Sequence, residues 1–363
     1  MNVRDSEVIS GLLQKSGYEI VADDKDAAVV IFNTCSVRKN AEDRIWSLIG
    51  SYKGSKIIGL VGCMAQNYKQ LAFQRDASIR FIAGPQDIHK IPEILGKFTF
   101  GNLLQSKVWE VDNSLRPEGI YHSGFYEDKH HAYVVISEGC SNFCSYCVVP
   151  YVRGPLRHRR KENILMEIKS AIVQGVTKFT LLGQNVNAYS DDKVNFTKLL
   201  EQVNSLDGLR EFDFFTSHPK DANINSFMAI QDLDKLVKRL HLPLQSGSDK
   251  VLKQMNRGYT AKKYLDLVKD YRKIVKNSLL TTDIIVGFPT ETDKEFKETC
   301  NLIKKIKFDA AYIFKYSPRP NTEAARIGDN IGRKEKEKRH KYILDLQRSI
   351  SNKLGHKHGH AEK

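Results

Sequence analysis

Three cysteines, Cys140, Cys144 and Cys147, stand in the run Glu138-Gly-Cys-Ser-Asn-Phe-Cys-Ser-Tyr-Cys-Val-Val-Pro150. They fall within eight residues, spaced by three and then two. Three thiolates can hold three corners of a cubane [4Fe–4S] cluster, because soft sulfur ligands suit iron–sulfur centres. The fourth iron then has no protein ligand in the run and stays open to a small molecule. Structural zinc is one alternative, but it takes four ligands and usually pairs two close-set couples, and no second couple follows nearby. Disulfide pairing is the other, and an odd local set in a chain with no paired framework argues against it. An open cluster is the expected chemistry.

The elements that must position this run alternate between strand and helix. After residue 130, apolar strands are expected at 131–139, 178–184, 211–217, 239–244, 279–287 and 310–316, with helices between them, including 162–174, 261–275 and 293–306. Six strand–helix units in series predict a partial parallel (β/α)6 barrel, whose active residues collect at the carboxyl ends of its strands. The cysteine run ends the first strand. The other polar signatures end later ones: Gly183-Gln184-Asn185, Ser217-His218-Pro219, Pro243-Leu-Gln245-Ser246-Gly247-Ser248 and Asp283…Gly287-Phe-Pro289.

Ahead of the barrel, residues 1–105 show the same alternation: a helix at 6–15, then strands at 27–34, 56–62 and 79–83, each followed by a helix, at about 41–52, from about 66, and at 88–97. Apolar strand runs between helices predict an open parallel sheet of flavodoxin-like α/β type, covered on both faces. Cys35 and Cys63 each follow the carboxyl end of one of these strands, the edge where open α/β sheets bind ligands. Small core residues are the plain reading of lone cysteines. Equivalent positions on neighbouring strands favour a shared metal site. The first helix has no strand before it, so the alternation points to a further strand upstream of Met1. Residues 106–128 read as a linker, 129–350 as the barrel domain and 351–363 as a tail.

Other residues carry weaker signals. Cys300 reads as a buried thiol of a helix. His218 is either catalytic or a satisfied imidazole in a His-Pro turn. The tail Leu354-Gly-His-Lys-His-Gly-His360 reads as a disordered end, and Arg333-Lys-Glu-Lys-Glu-Lys-Arg339 as a solvated helix face.

The 363 residues suffice for two or three domains, and 41% hydrophobic against 28% charged residues is ordinary for a soluble globular protein. No stretch reaches the apolar length of a membrane span. Six cysteines without a paired framework suggest a reducing, cytoplasmic setting. A net charge of +14 points to a polyanionic partner such as nucleic acid, and Arg153, Arg157, His158, Arg159, Arg160 and Lys161 form a basic strip just after the cysteines that could steer a phosphate backbone.

The spacing Cys-x3-Cys-x2-Cys at the end of a first barrel strand resembles the radical S-adenosylmethionine enzymes. Asn33-Thr-Cys35-Ser-Val-Arg38, Val61-Gly-Cys63, Tyr146-Cys-Val-Val-Pro-Tyr-Val-Arg-Gly154, Leu182-Gly-Gln-Asn-Val-Asn-Ala-Tyr189, Leu242-Pro-Leu-Gln-Ser-Gly-Ser248 and Met255-Asn-Arg-Gly258 extend the likeness over nearly the whole chain, to the methylthiotransferase family and its MiaB-type branch. The resemblance implies that Cys140, Cys144 and Cys147 hold a [4Fe–4S] cluster that binds and cleaves S-adenosylmethionine, and that the product radical takes the C2 hydrogen of N6-isopentenyladenosine at tRNA position 37 for methylthiolation. It implies a second [4Fe–4S] cluster, on Cys35 and Cys63 plus one more cysteine, that carries the sulfur to be inserted. It implies tRNA as partner, a one-electron donor such as a flavodoxin or ferredoxin, and an unspecified sulfur donor; a monomer with no membrane partner is expected. Tyr146, Gln184, Asn185, Ser217, Gln245 and Asp283 are the candidates for holding the cosubstrate.

The family pattern has a third N-terminal cysteine just before a Met-Asn like Met1-Asn2, a terminal β-barrel RNA-binding domain called TRAM, and glycine where Thr290 stands. The second cluster is therefore expected to be incomplete in the chain as read, with the TRAM domain absent. Open alternatives are methylthiolation of threonylcarbamoyladenosine in tRNA or of a ribosomal-protein aspartate, and an RNA-binding cluster protein that cleaves S-adenosylmethionine without inserting sulfur.

Overall fold

The computed structural model describes residues 1–36, 39–52, 56–99, 107–111 and 115–358. Val37 and Arg38 of the first quoted motif, parts of the expected linker and the last five residues lie outside them. The chain divides into two compact units, residues 1–140 with 148–179, and residues 141–147 with 180–363.

The first unit opens on helix α1 (Asn2–Lys15), four residues longer at its start than periodicity suggests. Val8, Ile9 and Leu13 form its buried stripe. Gly17, with φ +84°, ends it in a Schellman turn: Tyr18 N–H donates to Leu13 O at 3.0 Å and Gly17 N–H to Gln14 O at 3.1 Å. Strand β1 (Val29–Thr34), helix α2 (Lys39–Ser51), strand β2 (Ile57–Gly62), short helices α3 (Cys63–Tyr68) and α4 (Leu71–Arg75), strand β3 (Ile79–Ala83), helix α5 (Ile91–Thr99) and strand β4 (Val108–Glu110) follow.

The sheet runs β1-β2-β3-β4, parallel throughout. Val61, Phe81 and Ala83 pack under α1 and α5 on one face, while Ile58, Leu60 and Ile82 pack under α2, α3 and α4 on the other. Each fully buried Ile or Leu contributes about 1.5–3 kcal/mol, which explains the continuous apolar runs. Two expectations change. The helix after β2 starts at Cys63 rather than near 66, and it breaks at Lys69, whose φ of 49° cannot continue it. Within the expected linker, Val108–Glu110 adds a fourth strand, because its backbone pairs with Phe81–Ala83 although its side chains show no apolar run.

Later in this unit come strands β5 (His131–Val135) and β6 (Ser137–Glu138), helix α6 (Val149–Arg153), strand β7 (Arg157–His158) and helix α7 (Lys161–Val173). β6 and β7 pair antiparallel, Ser137 with His158 and Glu138 with Arg157. Beneath them lies a buried ionic network. Arg4 reaches Glu7 at 3.1 Å and Glu167 at 2.9 Å, and Arg159 meets Glu167 at 2.5 Å. Asp5 takes Arg116 at 2.8 Å and Arg153 at 2.7 Å, and Arg116 also reaches Glu138 at 2.8 Å.

Strand β8 (Lys178–Leu182) begins in the first unit, where Lys178 N–H donates to His130 O at 3.0 Å, and continues into the second. There follow a two-residue hairpin of β9 (Ser190–Asp191) and β10 (Val194–Asn195), helix α8 (Phe196–Asn204), β11 (Glu211–Phe214), α9 (Ile224–Asp232), β12 (Arg239–His241), α10 (Asp249–Gln254), α11 (Ala261–Ile274), β13 (Leu279–Val286), α12 (Asp293–Ile306), β14 (Ala310–Lys315), α13 (Glu323–Ile327) and α14 (Arg333–His358). Side-chain caps at Asn195, Asn223 and Thr260 start α8, α9 and α11, and Thr292 with Glu295 forms a capping box on α12. Phe215 N–H donates to Leu181 O, linking β11 to β8. A parallel bridge, Phe212 to Leu236, leads toward β12, and β12-β13-β14 pair parallel in order. Counted along the chain, six strand–helix units follow residue 130, the partial (β/α)6 architecture expected.

α14 corrects two readings. Lys336 and Arg339 are buried, because Lys336 bonds Tyr316 O and Asp329 while Arg339 bonds Glu291, Asp293 and Glu335. Leu354–His358 continue this helix rather than forming an irregular tail. Among the described residues no helix is long and apolar enough to cross a membrane.

Candidate active site

Gly139 turns the chain into the cysteine run. Its φ is +71°, and a Cβ there would stand 2.1 Å from Pro155 O and 2.5 Å from Gly154 O. Cys140 N–H donates to Gly154 O at 3.1 Å. Replacing Gly139 with Ala combines left-handed strain with a backbone clash. We expect Gly139→Ala to lower iron bound per chain after reconstitution, with helix content unchanged by circular dichroism; full iron loading would refute this.

From Ser141 to Cys147 the run is braced by the turn Met255–Gly258. Ser145 N–H donates to Met255 O at 3.0 Å, and Asn256 Nδ2 donates to Asn142 O at 3.2 Å and Phe143 O at 3.0 Å. Ala324 N–H donates to Ser145 O, and Lys220 Nζ to Asn142 Oδ1. Within the run, Cys147 N–H donates to Cys144 O at 2.9 Å. The φ values of Phe143 (46°) and Asn256 (55°) show backbone held in the left-handed region on both sides of this contact. Arg257 Nη1 lies 3.2 Å from Cys144 Sγ and 3.4 Å from Tyr146 Oη. Tyr146 packs against Val251, Met255, Phe288 and Tyr316, and burial pushes its phenol well above the ordinary value.

The later strand ends are tied to one another. Thr216 Oγ1 donates to Gly183 O at 2.6 Å and Val186 N–H to Thr216 O at 3.0 Å, so the loops after β8 and β11 adjoin. Asn187 and His218 exchange two hydrogen bonds, at 3.0 and 2.9 Å. The His218 ring meets Tyr259 at 5.9 Å, and Tyr259 Oη donates to Leu244 O at 2.8 Å in the loop after β12. Gln245 N–H donates to Asp283 O at 2.8 Å.

These loops carry buried polar atoms without a protein partner: Gln184 Oε1, Asn185 Oδ1, Ser217 Oγ, His218 Nε2 and Gln245 Oε1. Leaving such a group unpaired costs about 1–3 kcal/mol each, so the set suits a polar ligand. Asn185 Nδ2 donates to Asp221 at 2.7 Å, which turns its oxygen to the unpaired side. His218 Nδ1 accepts from Lys220 N–H at 3.1 Å, leaving the proton of the neutral ring on Nε2. Burial, with Arg257 and Lys220 nearby, pushes its pKa down to about 2, so His218 is a neutral donor and not a base titrating near neutrality.

Asp283 departs from expectation. It lies in the middle of β13, three residues before the strand ends, and its carboxylate pairs with His241 Nε2 at 3.4 Å. Arg257 was absent from the expected contacts; its motif was visible, but its partner is 113 residues away in sequence.

In the first unit, β1 and β2 pair in register with Thr34 opposite Gly62, so Cys35 and Cys63 each follow one member of the same parallel pair. Cys63 is buried against Val148 and Val152. Burial works against the charge of Arg153, but Cys63 and Asp5 outweigh it and hold the guanidinium above its ordinary value. The basic strip is thereby corrected: Arg153 and Arg159 are buried ion-pair partners of Asp5 and Glu167 and do not face solvent. Cys300 is buried in α12, and burial pushes its thiol up to about 11. Among the described residues no three His, Cys, Asp or Glu side chains converge as ligands of a single ion; a cubane gives each thiolate its own corner and has no such requirement.

Residues 134–303 match the Radical SAM superfamily, and residues 1–84 match a family described as uncharacterized protein family UPF0004. The tRNA-2-methylthio-N(6)-dimethylallyladenosine synthase of Clostridium botulinum (strain Okra / Type B1) is 42% identical over 364 residues, covering 97% of this chain and 80% of that protein. The chain belongs to the tRNA-2-methylthio-N(6)-dimethylallyladenosine synthase family. The synthase of Moorella thermoacetica is 39% identical over 369 residues, covering 97% of this chain and 81% of its own length. The fold is that of the radical S-adenosylmethionine methyltransferase TsrM from Kitasatospora setae, with TM-score 0.62 at 12% identity over 88% of this chain and 73% of that one. The cobalamin-dependent S-adenosylmethionine radical enzyme OxsB has TM-score 0.54 at 15% identity over 93% of this chain and 53% of its own. Thr290 has φ 72°, a conformation that favours glycine, and Thr290 Oγ1 donates to Gln254 Oε1 at 2.8 Å.

Proposed function

We propose that the chain is a radical S-adenosylmethionine methylthiotransferase that modifies C2 of N6-isopentenyladenosine beside the tRNA anticodon. The observation that carries the reading is the set of unpaired buried atoms on Gln184, Asn185, Ser217, His218 and Gln245, in the same unit as Cys144 and Cys147. Amino, carboxylate and ribose groups of S-adenosylmethionine supply the complementary donors and acceptors. The tRNA substrate rests on the names of relatives that share about two residues in five over nearly the whole chain, and a net charge of +14 agrees with a polyanion.

Cys140, Cys144 and Cys147 would hold a [4Fe–4S] cluster, a fit supported by a soft three-thiol donor set. Such a cluster supplies the electron that cleaves the bound sulfonium. The protein's own part is to bind and orient. Gln245 has both backbone groups tied, its N–H to Asp283 O and its carbonyl to Ile285 N–H, so its side chain is presented from a fixed frame. His218 offers Nε2–H from a ring fixed by Lys220 and Asn187. Cys35 and Cys63 would serve a second cluster as the sulfur-carrying site. A flavodoxin or ferredoxin reductant and a cytoplasmic setting complete the proposal.

The test is reconstitution with iron and sulfide, then incubation with reductant, S-adenosylmethionine and isopentenylated tRNA, with nucleosides read by mass spectrometry. A methylthio nucleoside is expected; none, from a fully iron-loaded protein, would overturn the assignment. Gln245→Ala should weaken S-adenosylmethionine binding roughly 10- to 100-fold. Equilibrium dialysis would show this, and unchanged affinity would remove Gln245 from the site.

A further inference from the structure

Arg257 sits 4% exposed in the turn that braces the cysteine run. Its guanidinium is held at several points. Nη2 donates to Pro243 O at 3.0 Å and Nε to Tyr259 Oη at 3.0 Å, while the Tyr259 ring lies 5.3 Å from the guanidinium carbon. The remaining nitrogen, Nη1, is thereby aimed at Cys144 Sγ at 3.2 Å, with Tyr146 Oη at 3.4 Å.

Five other buried arginines take a different kind of partner. Arg4, Arg116, Arg153, Arg159 and Arg339 are buried too, and each pairs with a carboxylate. Among the described residues no carboxylate pairs with Arg257. A buried guanidinium without a counter-charge is costly. A thiolate at Cys144 would supply the missing negative charge, so the cation is placed for the metal-bound form of this cysteine.

We propose that Arg257 is a positioning residue of the cluster site, donating a charge-assisted N–H···S hydrogen bond to the Cys144 thiolate that fixes this ligand and makes the cluster easier to reduce. Hydrogen bonds to cluster sulfurs and nearby net charge are levers on reduction potential, and a cation favours the more negative, reduced state. The inference rests on the reading that Cys140, Cys144 and Cys147 hold a [4Fe–4S] cluster.

The test needs no turnover. Wild-type protein carrying guanidino-15N arginine is reconstituted, reduced and studied by pulsed EPR without S-adenosylmethionine. A weakly coupled arginine nitrogen is expected, and it should vanish in Arg257→Lys grown on the same label. In redox titrations, Arg257→Gln should take up its cluster and shift to a more negative midpoint, with Arg257→Lys shifting less. No arginine coupling in a fully loaded wild-type protein overturns the proposal, as does a coupling that persists in the Lys variant or a Gln variant with the wild-type midpoint. If Arg257→Gln fails to fold, the coupling in the wild type and its loss in Arg257→Lys decide the question. Iron and sulfide at background in the wild type would instead overturn the cluster reading beneath it.

Discussion

A Cys144→Ala variant is expected to lose S-adenosylmethionine cleavage altogether, whereas a Cys35→Ala/Cys63→Ala double variant is expected to keep cleavage and lose the methylthio product. The contrast follows from where the thiols sit. Cys144 is gripped from three sides of its loop, by Ser145 N–H on Met255 O, by the Asn256 amide and by Arg257 on its sulfur. Removing its sulfur leaves a two-thiol run and a buried guanidinium without its partner, so this cluster should not assemble and 5′-deoxyadenosine should fall to the protein-free level. Cys35 and Cys63 belong to another structural frame, the carboxyl edge of the β1–β2 pair. None of the hydrogen bonds described above for the Ser141–Cys147 loop involves Cys35 or Cys63, so cleavage should continue at the parent rate while the proposed sulfur-carrying site is lost. Iron per chain, 5′-deoxyadenosine by chromatography and methylthio nucleoside by mass spectrometry separate the two. A double variant that stops cleaving would mean that Cys35 and Cys63 support the first site; one that still makes the methylthio product would remove them from sulfur transfer.

Much of this was legible because it is local. A parallel strand buried on both faces must be an apolar run, so Ile57–Gly62 announces itself. The capping box at Thr292 and Glu295 marks the start of α12. The cysteine spacing declares its chemistry within eight residues. What stayed hidden depends on distant partners. Val108–Glu110 becomes a strand because β3 offers an edge, and three residues carry no period. Arg153 and Arg159 look like a phosphate-steering strip until Asp5, about 150 residues earlier in the chain, and Glu167 appear beside them. Asp283 reads as a strand-end residue, whereas the fold places it mid-strand with His241 of the neighbouring strand beside it. Arg257 was part of a visible motif, yet only the fold shows that it points at Cys144.

The largest stability effect should come from Asp5, a fully buried carboxylate that no apolar pattern predicts. Burial alone would raise its pKa, but Arg116 and Arg153 outweigh burial and hold it at about 2, against an ordinary 3.8. A depressed folded-state pKa contributes stability that is fully present above the unfolded value and lost as pH falls through the folded one. Here that is about 2 kcal/mol, present above pH ~4 and lost progressively toward pH ~2. Asp5→Asn should cost more, about 3–5 kcal/mol, because it leaves buried arginines without their counter-charge. Arg116 keeps Glu138, but among the described residues Arg153 keeps no carboxylate. The measurement is unusually clean. Trp46 and Trp109 are the chain's two tryptophans and both lie in the first unit, so tryptophan fluorescence follows the unfolding of that unit. In urea at neutral pH the midpoint of Asp5→Asn should fall well below the parent's. Between pH ~4 and ~2 its stability should decline less steeply than the parent's, since the titrating carboxyl is gone. An Asp5→Asn variant with the parent's midpoint would show that the network is electrostatically neutral to folding. An acid limb as steep as the parent's would place the titration on another group.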